Sequence, residues 1–285
     1  MPNKYRKLRR QLMDYFFTGL AGSLSVVVVG ALVAIFAYLV IRGAGALNFS
    51  FFTEPPRPVG EAGGGMANGI LGSLMILAIA SVFGVPVGIA AGVYLAEFGR
   101  HRLAKLVRFT ADVLNGVPSI VIGLVAYGLV VIEQRHFSAF AGGVGLAIMM
   151  IPTVTRSTEE MLLLVPQAVR EAALGLGIPQ WRTTVSITLA TARSGIITGV
   201  MLAFARVAGE TAPLLFTAFG NQFWSFSPGQ PIAALPLQIF TYAISPFDEW
   251  HRQAWAGALV LVILIVGTTT AVRFLFLRST LGGAR

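Results

Sequence analysis

The chain has 285 residues, of which 55% are hydrophobic and only 12% charged; it has no cysteine and a formal net charge of +9. Soluble domains carry about 25% charged residues, so this composition excludes a soluble globular protein. The absence of cysteine excludes disulfides and thiolate chemistry. The basic residues flank apolar runs and form no patch with interleaved aromatic residues, which argues against nucleic-acid binding. We therefore interpret the chain as an integral membrane protein.

Six apolar segments are long enough to cross the ~30 Å hydrocarbon core as helices. They predict an all-α protein with six transmembrane helices, at residues 15–41, 69–96, 107–132, 139–165, 190–218 and 254–277. Three consecutive glycines at 63–65 mark a boundary. We expect an N-terminal part, 1–65, that holds a cytoplasmic tail, the first span and an outside loop. A core of five spans, 66–278, follows it.

The distribution of basic residues predicts the orientation in the membrane. Lysine and arginine concentrate in the N-terminal tail, at 100–108, at 156–193 and near the C-terminus. The intervening connections hold only Arg42, Arg57, Arg135 and Arg252. Because cytoplasmic loops carry an excess of Lys and Arg, we expect both termini and the 156–193 connection on the cytoplasmic side.

Polar residues near the ends of two spans are typical of helix caps. Asp112 and Asn115 precede Gly-Val-Pro-Ser at 116–119. A broken helix that lines a cavity is one interpretation there, and capping by the two side chains is the favoured one. Ser157 and Glu160 match a capping box, which predicts that a new helix begins near Ser157.

A short polar stretch interrupts the apolar runs between the fourth and fifth spans. It has the sequence Arg-Glu-Ala-Ala-Leu-Gly-Leu-Gly at 170–177 and continues Ile-Pro-Gln-Trp-Arg. Pro166 suits a first helical turn, where its missing N–H is not needed. Gly177 can adopt the left-handed conformation that ends a helix, and Pro179 cannot continue it. The pattern predicts a helix, a tight turn and a second helix on the cytoplasmic side, where a partner can bind.

The fifth span contains ionisable residues at depth, in Ala-Arg-Val-Ala-Gly-Glu-Thr-Ala-Pro at 205–213. Arg206 and Glu210 are four residues apart and would share one helical face. Charged groups inside a membrane cost at least roughly 2.5–3.5 kcal/mol each on insertion scales and usually face a partner or an aqueous pathway. Arg206 offers a bidentate fork for an oxyanion such as phosphate, and Glu210 would hold the guanidinium in an empty pathway. We predict a pathway role for Arg206, Glu210 and Thr211; a structural ion pair is the alternative.

Enzyme motifs are not found in the sequence. No lysine lies in a G-x-x-x-x-G-K-[ST] phosphate loop, and His101, His136 and His251 fall in three separate connections. We therefore expect no catalytic residue, no cofactor and no metal site. If ATP drives transport, the ATPase must be another polypeptide.

The Glu-Ala-Ala-x-x-x-Gly run at 171–177 resembles the EAA loop of binding-protein-dependent ABC importer permeases, which have a MetI-like fold. The blocks 116–120, 170–173, 192–196 and 209–217 resemble the phosphate-specific permeases of the PstA family. The similarity extends from about Gly64 to Arg273. The chain departs from the family at Ala190, where proline is usual, and the entry into the fifth span is expected to be looser.

This resemblance implies that Glu171, Ala172, Ala173, Gly177 and Pro179 form a coupling helix and turn seated on a cytoplasmic ATPase. It also implies a heterodimeric pathway with the sister permease PstC, two copies of the ATPase PstB and an extracytoplasmic phosphate-binding protein, PstS. The assembly would lie in the lipid of the bacterial cytoplasmic membrane. An importer of another oxyanion, such as sulfate, molybdate or phosphonate, is an alternative. A secondary transporter driven by an ion gradient is a more distant one.

Overall fold

The computed structural model describes residues 4–58, 61, 63–99 and 101–282. Two basic residues of the charge pattern, Arg100 and Arg285, lie outside this part. Within it the chain forms the α-helices α1 (Lys4–Ala44), α2 (Phe49–Thr53), α3 (Ala67–Phe98), α4 (Arg102–Gly116), α5 (Ser119–Ala126), α6 (Ile132–Gln134), α7 (Ala139–Leu163), α8 (Gln167–Gly175), α9 (Gln180–Thr183), α10 (Leu189–Ala208), α11 (Ala212–Thr217), α12 (Leu235–Ala243) and α13 (Asp248–Gly282). The connection between α11 and α12, residues 218–234, is long and non-helical. Two π-helical turns, Tyr127–Val131 and Thr184–Thr188, connect α5 to α6 and α9 to α10.

Five helical stretches of the described chain are long and apolar enough to cross a membrane. They are Arg6–Ala44, Ala67–Phe98, Ala139–Leu163, Gln180–Ala208 and Asp248–Leu275. A sixth apolar stretch consists of α4 and the run 119–134, which bends by 110° at its break. The predicted all-α membrane fold is therefore confirmed, with one of its six spans broken.

Two predicted spans are interrupted, contrary to the continuous helices that hydropathy indicated. The third breaks where α4 ends at Gly116 and Pro118, with φ −56° and ψ 135°, leads into α5. The fifth ends at Ala208, and the chain passes through Gly209 before the short helix α11. Proline removes a backbone donor and glycine favours helix ends, so both breaks have a local cause. Apolar residues resume beyond each break, so hydropathy averaged over a long window does not detect it.

The capping box predicted near Ser157 is wrong, because α7 runs through it without interruption. The Ser157 hydroxyl instead donates to the carbonyl of Val154, one turn earlier. The N-cap of α7 is Ser138, whose Oγ accepts the backbone N–H of Ala141 at 3.0 Å. The next helix begins directly after Pro166, as the proline predicted.

Helix α7 packs closely against α3 and α10, which meet it on adjacent faces. Both contacts depend on small residues: Gly84, Gly88 and Gly92 of α3, and Gly195 and Gly199 of α10. A Cβ at Gly88 would lie 2.7 Å from Cβ of Val154, and one at Gly199 would lie 2.2 Å from Oγ of Ser157. Small residues let transmembrane helices approach at this distance. These glycines therefore serve tight packing between the spans.

Substitution of Gly88 by leucine is expected to destabilise the α3–α7 contact by about 1–3 kcal/mol, because the added atoms have no space beside Val154. Thermal unfolding of the detergent-solubilised protein measures the effect. Gly22→Leu is the matched control, since no heavy atom lies within 4 Å of a Cβ at Gly22 of α1. Equal melting temperatures for the two variants would contradict this packing.

Candidate translocation pathway and coupling helix

The polar stretch between the fourth and fifth spans forms the predicted helix, turn and helix. Helix α8 ends at Gly175, and Gly177 has a positive φ of 79°. The N–H of Gly177 donates to the carbonyl of Leu174 at 2.9 Å, and that of Ile178 to the carbonyl of Ala173 at 3.2 Å. This pair of hydrogen bonds is a Schellman motif, which satisfies carbonyls at the end of a helix. Backbone hydrogen bonds and the left-handed conformation of Gly177 therefore fix the geometry of this turn.

The outer face of α8 is uncovered. Ala173 is buried, whereas Glu171 and Ala172 are exposed. No cationic side chain in the described part of the chain lies within 4.0 Å of the Glu171 carboxylate. Beside it, Leu176 is 81% exposed and Trp181 70% exposed. A carboxylate next to uncovered apolar side chains is typical of a surface that binds another protein.

If α8 docks on the ATPase that the resemblance implies, Gly177→Ala is expected to weaken that binding by about fivefold to thirtyfold, because a left-handed residue with a Cβ costs roughly 1–2 kcal/mol. Gly175→Ala is the matched control: a Cβ at either position meets no atom within 4 Å, and only Gly177 has a positive φ. Affinity of the purified permease complex for the ATPase measures the difference. Identical affinities would show that the turn does not set the docking geometry.

The end of α10 lies near the middle of α7. Gly195 faces Met161 and Gly199 faces Ser157, so α10 runs antiparallel to α7. Further along, Val207 belongs to the same buried cluster as Met149 and Met150. Since α7 extends from Ala139 to Leu163, α10 ends at about half the depth of this span.

Arg206 lies in the last turn of α10 and is exposed. Glu210 follows the end of the helix and is half-buried, so the expectation that the two residues share one helical face is wrong. No ion pair joins them in the described structure. The hydroxyl of Thr211 donates to the carbonyl of Pro236 at 3.4 Å and thereby links the break to α12. Arg206 therefore presents its charge to the surface at this depth.

A second broken helix adjoins the first. The break between α4 and α5 lies beside the middle of α7, where Oγ1 of Thr153 donates to Oδ1 of Asn115 at 3.0 Å. Helix α5 then packs on α11, since a Cβ at Gly123 would lie 2.8 Å from Cα of Pro213. Transporters place binding sites where discontinuous helices meet near the membrane midplane. Of the two interpretations for residues 112–119, the structure therefore supports the broken helix.

An ion-pair network that the sequence analysis missed holds α4 against α7. The Glu159 side chain is 2% exposed and accepts from Nη2 of Arg108 at 2.5 Å and from Nη1 of Arg156 at 2.6 Å. Arg156 also donates to Oδ1 of Asp112 at 3.0 Å. Asp112 and Asn115 are thus tied to α7 and do not cap α4. The signal in the sequence was a carboxylate within an apolar span, which requires a partner.

Comparison with known proteins identifies a family and a solved structure that share this architecture. The family of binding-protein-dependent transport system inner membrane components matches residues 84–280. A chain of the inward-facing MetNI methionine ABC transporter has the same fold, with a TM-score of 0.58 and 16% identity over 77% of this chain and 98% of that one.

Closer relatives are phosphate transport system permease proteins PstA. The protein from Yersinia pestis is 48% identical over 241 residues, which cover 84% of this chain and 82% of the relative. The Xylella fastidiosa protein (strain Temecula1) is also 48% identical, over 244 residues. A probable PstA from Methanocaldococcus jannaschii is 31% identical over 274 residues, 96% of each chain. The chain therefore belongs to the binding-protein-dependent transport permeases and, within them, to the phosphate permease family PstA.

Proposed function

We propose that this chain forms one half of the pathway through which an ATP-driven importer carries inorganic phosphate into the cell. The exposed guanidinium of Arg206 at the mid-membrane helix break carries this proposal. An arginine at this depth is costly against lipid and therefore faces an aqueous pathway or a partner. Its planar fork can donate two parallel hydrogen bonds to a phosphate oxyanion.

The second element of the proposed function is coupling to an ATPase through α8. Glu171 and Ala172 lie on the uncovered face of the helix, while the Schellman motif at Gly177 and the following Pro179 fix its exit. These features support docking of α8 in a cleft of a cytoplasmic ATPase. Movement of the docked helix would then open and close the pathway.

The proposed assembly contains this chain, a sister permease PstC, two copies of the ATPase PstB and the phosphate-binding protein PstS. Both termini lie in the cytoplasm in this proposal, which the placement of basic residues supports. Residues 66–278 form the permease core, and residues 1–65 are appended to it. In support of that division, α1 packs chiefly on α13.

Competition for uptake tests the cargo. In cells that depend on this permease and its partners, unlabelled phosphate at tenfold excess should suppress uptake of labelled phosphate by about tenfold. Sulfate and molybdate at the same excess should leave uptake within about twofold of its starting rate. Suppression by sulfate or molybdate equal to that by phosphate would contradict phosphate as the cargo.

A further inference from the structure

Arg170 precedes Glu171 in α8, but its side chain is directed toward the membrane-spanning core. Nη1 donates to Oε1 of Glu97 at 2.5 Å, and Nη2 donates to the backbone carbonyl of Leu162 at 2.8 Å. The side chains of Arg170 and Glu97 are 20% and 10% exposed. Glu97 is the penultimate residue of α3, and Leu162 lies in the last turn of α7. One guanidinium thus bonds the coupling helix to the ends of two spans.

The backbone of α8 lies beside α9 and the π-turn after it. A cavity of about 410 Å³ lies beside these elements, and its lining includes Glu97, Val165, Arg170 and Thr183. The Thr183 hydroxyl is buried and has no hydrogen-bond partner in the described structure. Because open space lies beside the ion pair, the Arg170 side chain bridges a region where α8 and the spans are not in continuous contact.

Arginine suits such a bridge because its guanidinium is planar and rigid. Two donors in a fixed fork hold the carboxylate and the carbonyl in one relative position. An ammonium group is a point charge on a flexible stem and does not fix two acceptors in this way. The shielded position of the pair also reduces screening by salt.

We propose that Arg170 is a positioning residue that transmits displacement of the coupling helix to α3 and α7. These two spans interlock through Gly84, Gly88 and Gly92, so a force at their cytoplasmic ends moves them together. Helix α7 in turn adjoins both helix breaks. The proposal rests on the proposed docking of the ATPase at Glu171, and it adds the route by which motion reaches the pathway.

The test measures phosphate transported per ATP hydrolysed, in proteoliposomes that contain the full complex. Glu97→Gln and Arg170→Ala should retain the ATPase and hydrolyse ATP within about twofold of wild type, yet transport per ATP should fall at least about tenfold. The reversed pair Glu97→Arg with Arg170→Glu should recover about a third of the wild-type ratio. Arg102→Ala, which changes an exposed arginine at the start of α4, outside the docking surface, is the matched control and should leave the ratio unchanged.

If the single variants assemble poorly, a chemical cross-link between positions 97 and 170 tests the proposal instead. The chain has no cysteine, so Glu97→Cys with Arg170→Cys introduces a defined pair that a short bismaleimide can join. Without the reagent this double variant should transport as poorly as Arg170→Ala. If the two positions move as a unit, the cross-linked complex should recover at least half of the wild-type uptake. Single-cysteine variants treated with the same reagent control for modification.

Three results would contradict the proposal that Arg170 transmits displacement of α8 to α3 and α7. They are an unchanged transport ratio in the assembled Arg170→Ala complex, loss of the ATPase from that complex, and no recovery of uptake on cross-linking. Retention of the ATPase by Glu171→Arg would instead contradict the proposed docking surface. The two proposals therefore fail in distinguishable ways.

Discussion

Replacement of Glu171 by arginine is expected to abolish ATP-driven phosphate uptake, because the permease should no longer retain its ATPase. Glu171 is exposed at the centre of the uncovered face of α8 and pairs with no cation of the described chain. The substitution therefore leaves internal contacts intact and reverses the charge presented to the partner. Its effect on folding should be small, within about 0.5 kcal/mol, as for other surface substitutions.

Co-purification of the tagged permease with the ATPase measures this effect directly. The variant should insert into the membrane at the wild-type level and recover less than about a tenth of the ATPase. Glu133→Arg is the matched control, since it reverses an exposed carboxylate of α6 that likewise has no ion-pair partner in the described structure. Full recovery of the ATPase by Glu171→Arg would remove α8 as the docking element.

Substitution of Arg206 by alanine should abolish uptake and leave the assembly intact. The side chain has no ion-pair partner in the described structure, so its removal breaks no internal contact of that kind. An interaction with phosphate that is made in the pathway would be lost. We expect at least a hundredfold lower uptake, equivalent to about 2.7 kcal/mol at 1.36 kcal/mol per factor of ten.

Two further variants separate a pathway role from a general effect of charge. Arg206→Lys keeps the charge without the fork and should recover part of the uptake. Arg193→Ala removes another exposed arginine of the same helix, α10, and should keep uptake within about twofold of wild type. Normal uptake by Arg206→Ala would contradict the site while leaving the family and the fold unaffected.

Local chemistry made the turn at Gly177 predictable from the sequence. A glycine followed by proline after a short amphipathic stretch restricts the backbone, and Gly177 adopts the left-handed conformation that this pattern favours. The spans were likewise predictable, because an apolar run of membrane length has few other stable forms in lipid.

Features that depend on packing between distant residues were not predictable in the same way. Arg108 and Glu159 are 51 positions apart, and Glu97 and Arg170 are 73 apart, so only the fold brings each pair together. Helix α10 ends at Gly209, before Glu210. The rule that residues four apart share one helical face assumes a continuous helix, so it misplaces the Glu210 carboxylate relative to Arg206. The ion pair predicted between Arg206 and Glu210 is therefore absent from the described structure.

The central claim is that this chain is half of a phosphate pathway driven by a separate ATPase. Uptake of labelled phosphate into proteoliposomes, with the phosphate-binding protein outside and ATP inside, tests it most directly. We predict uptake only when the sister permease, the ATPase, the binding protein and ATP are all present, and none with a non-hydrolysable ATP analogue. Phosphate uptake by the permeases that persists without any ATPase would contradict the account.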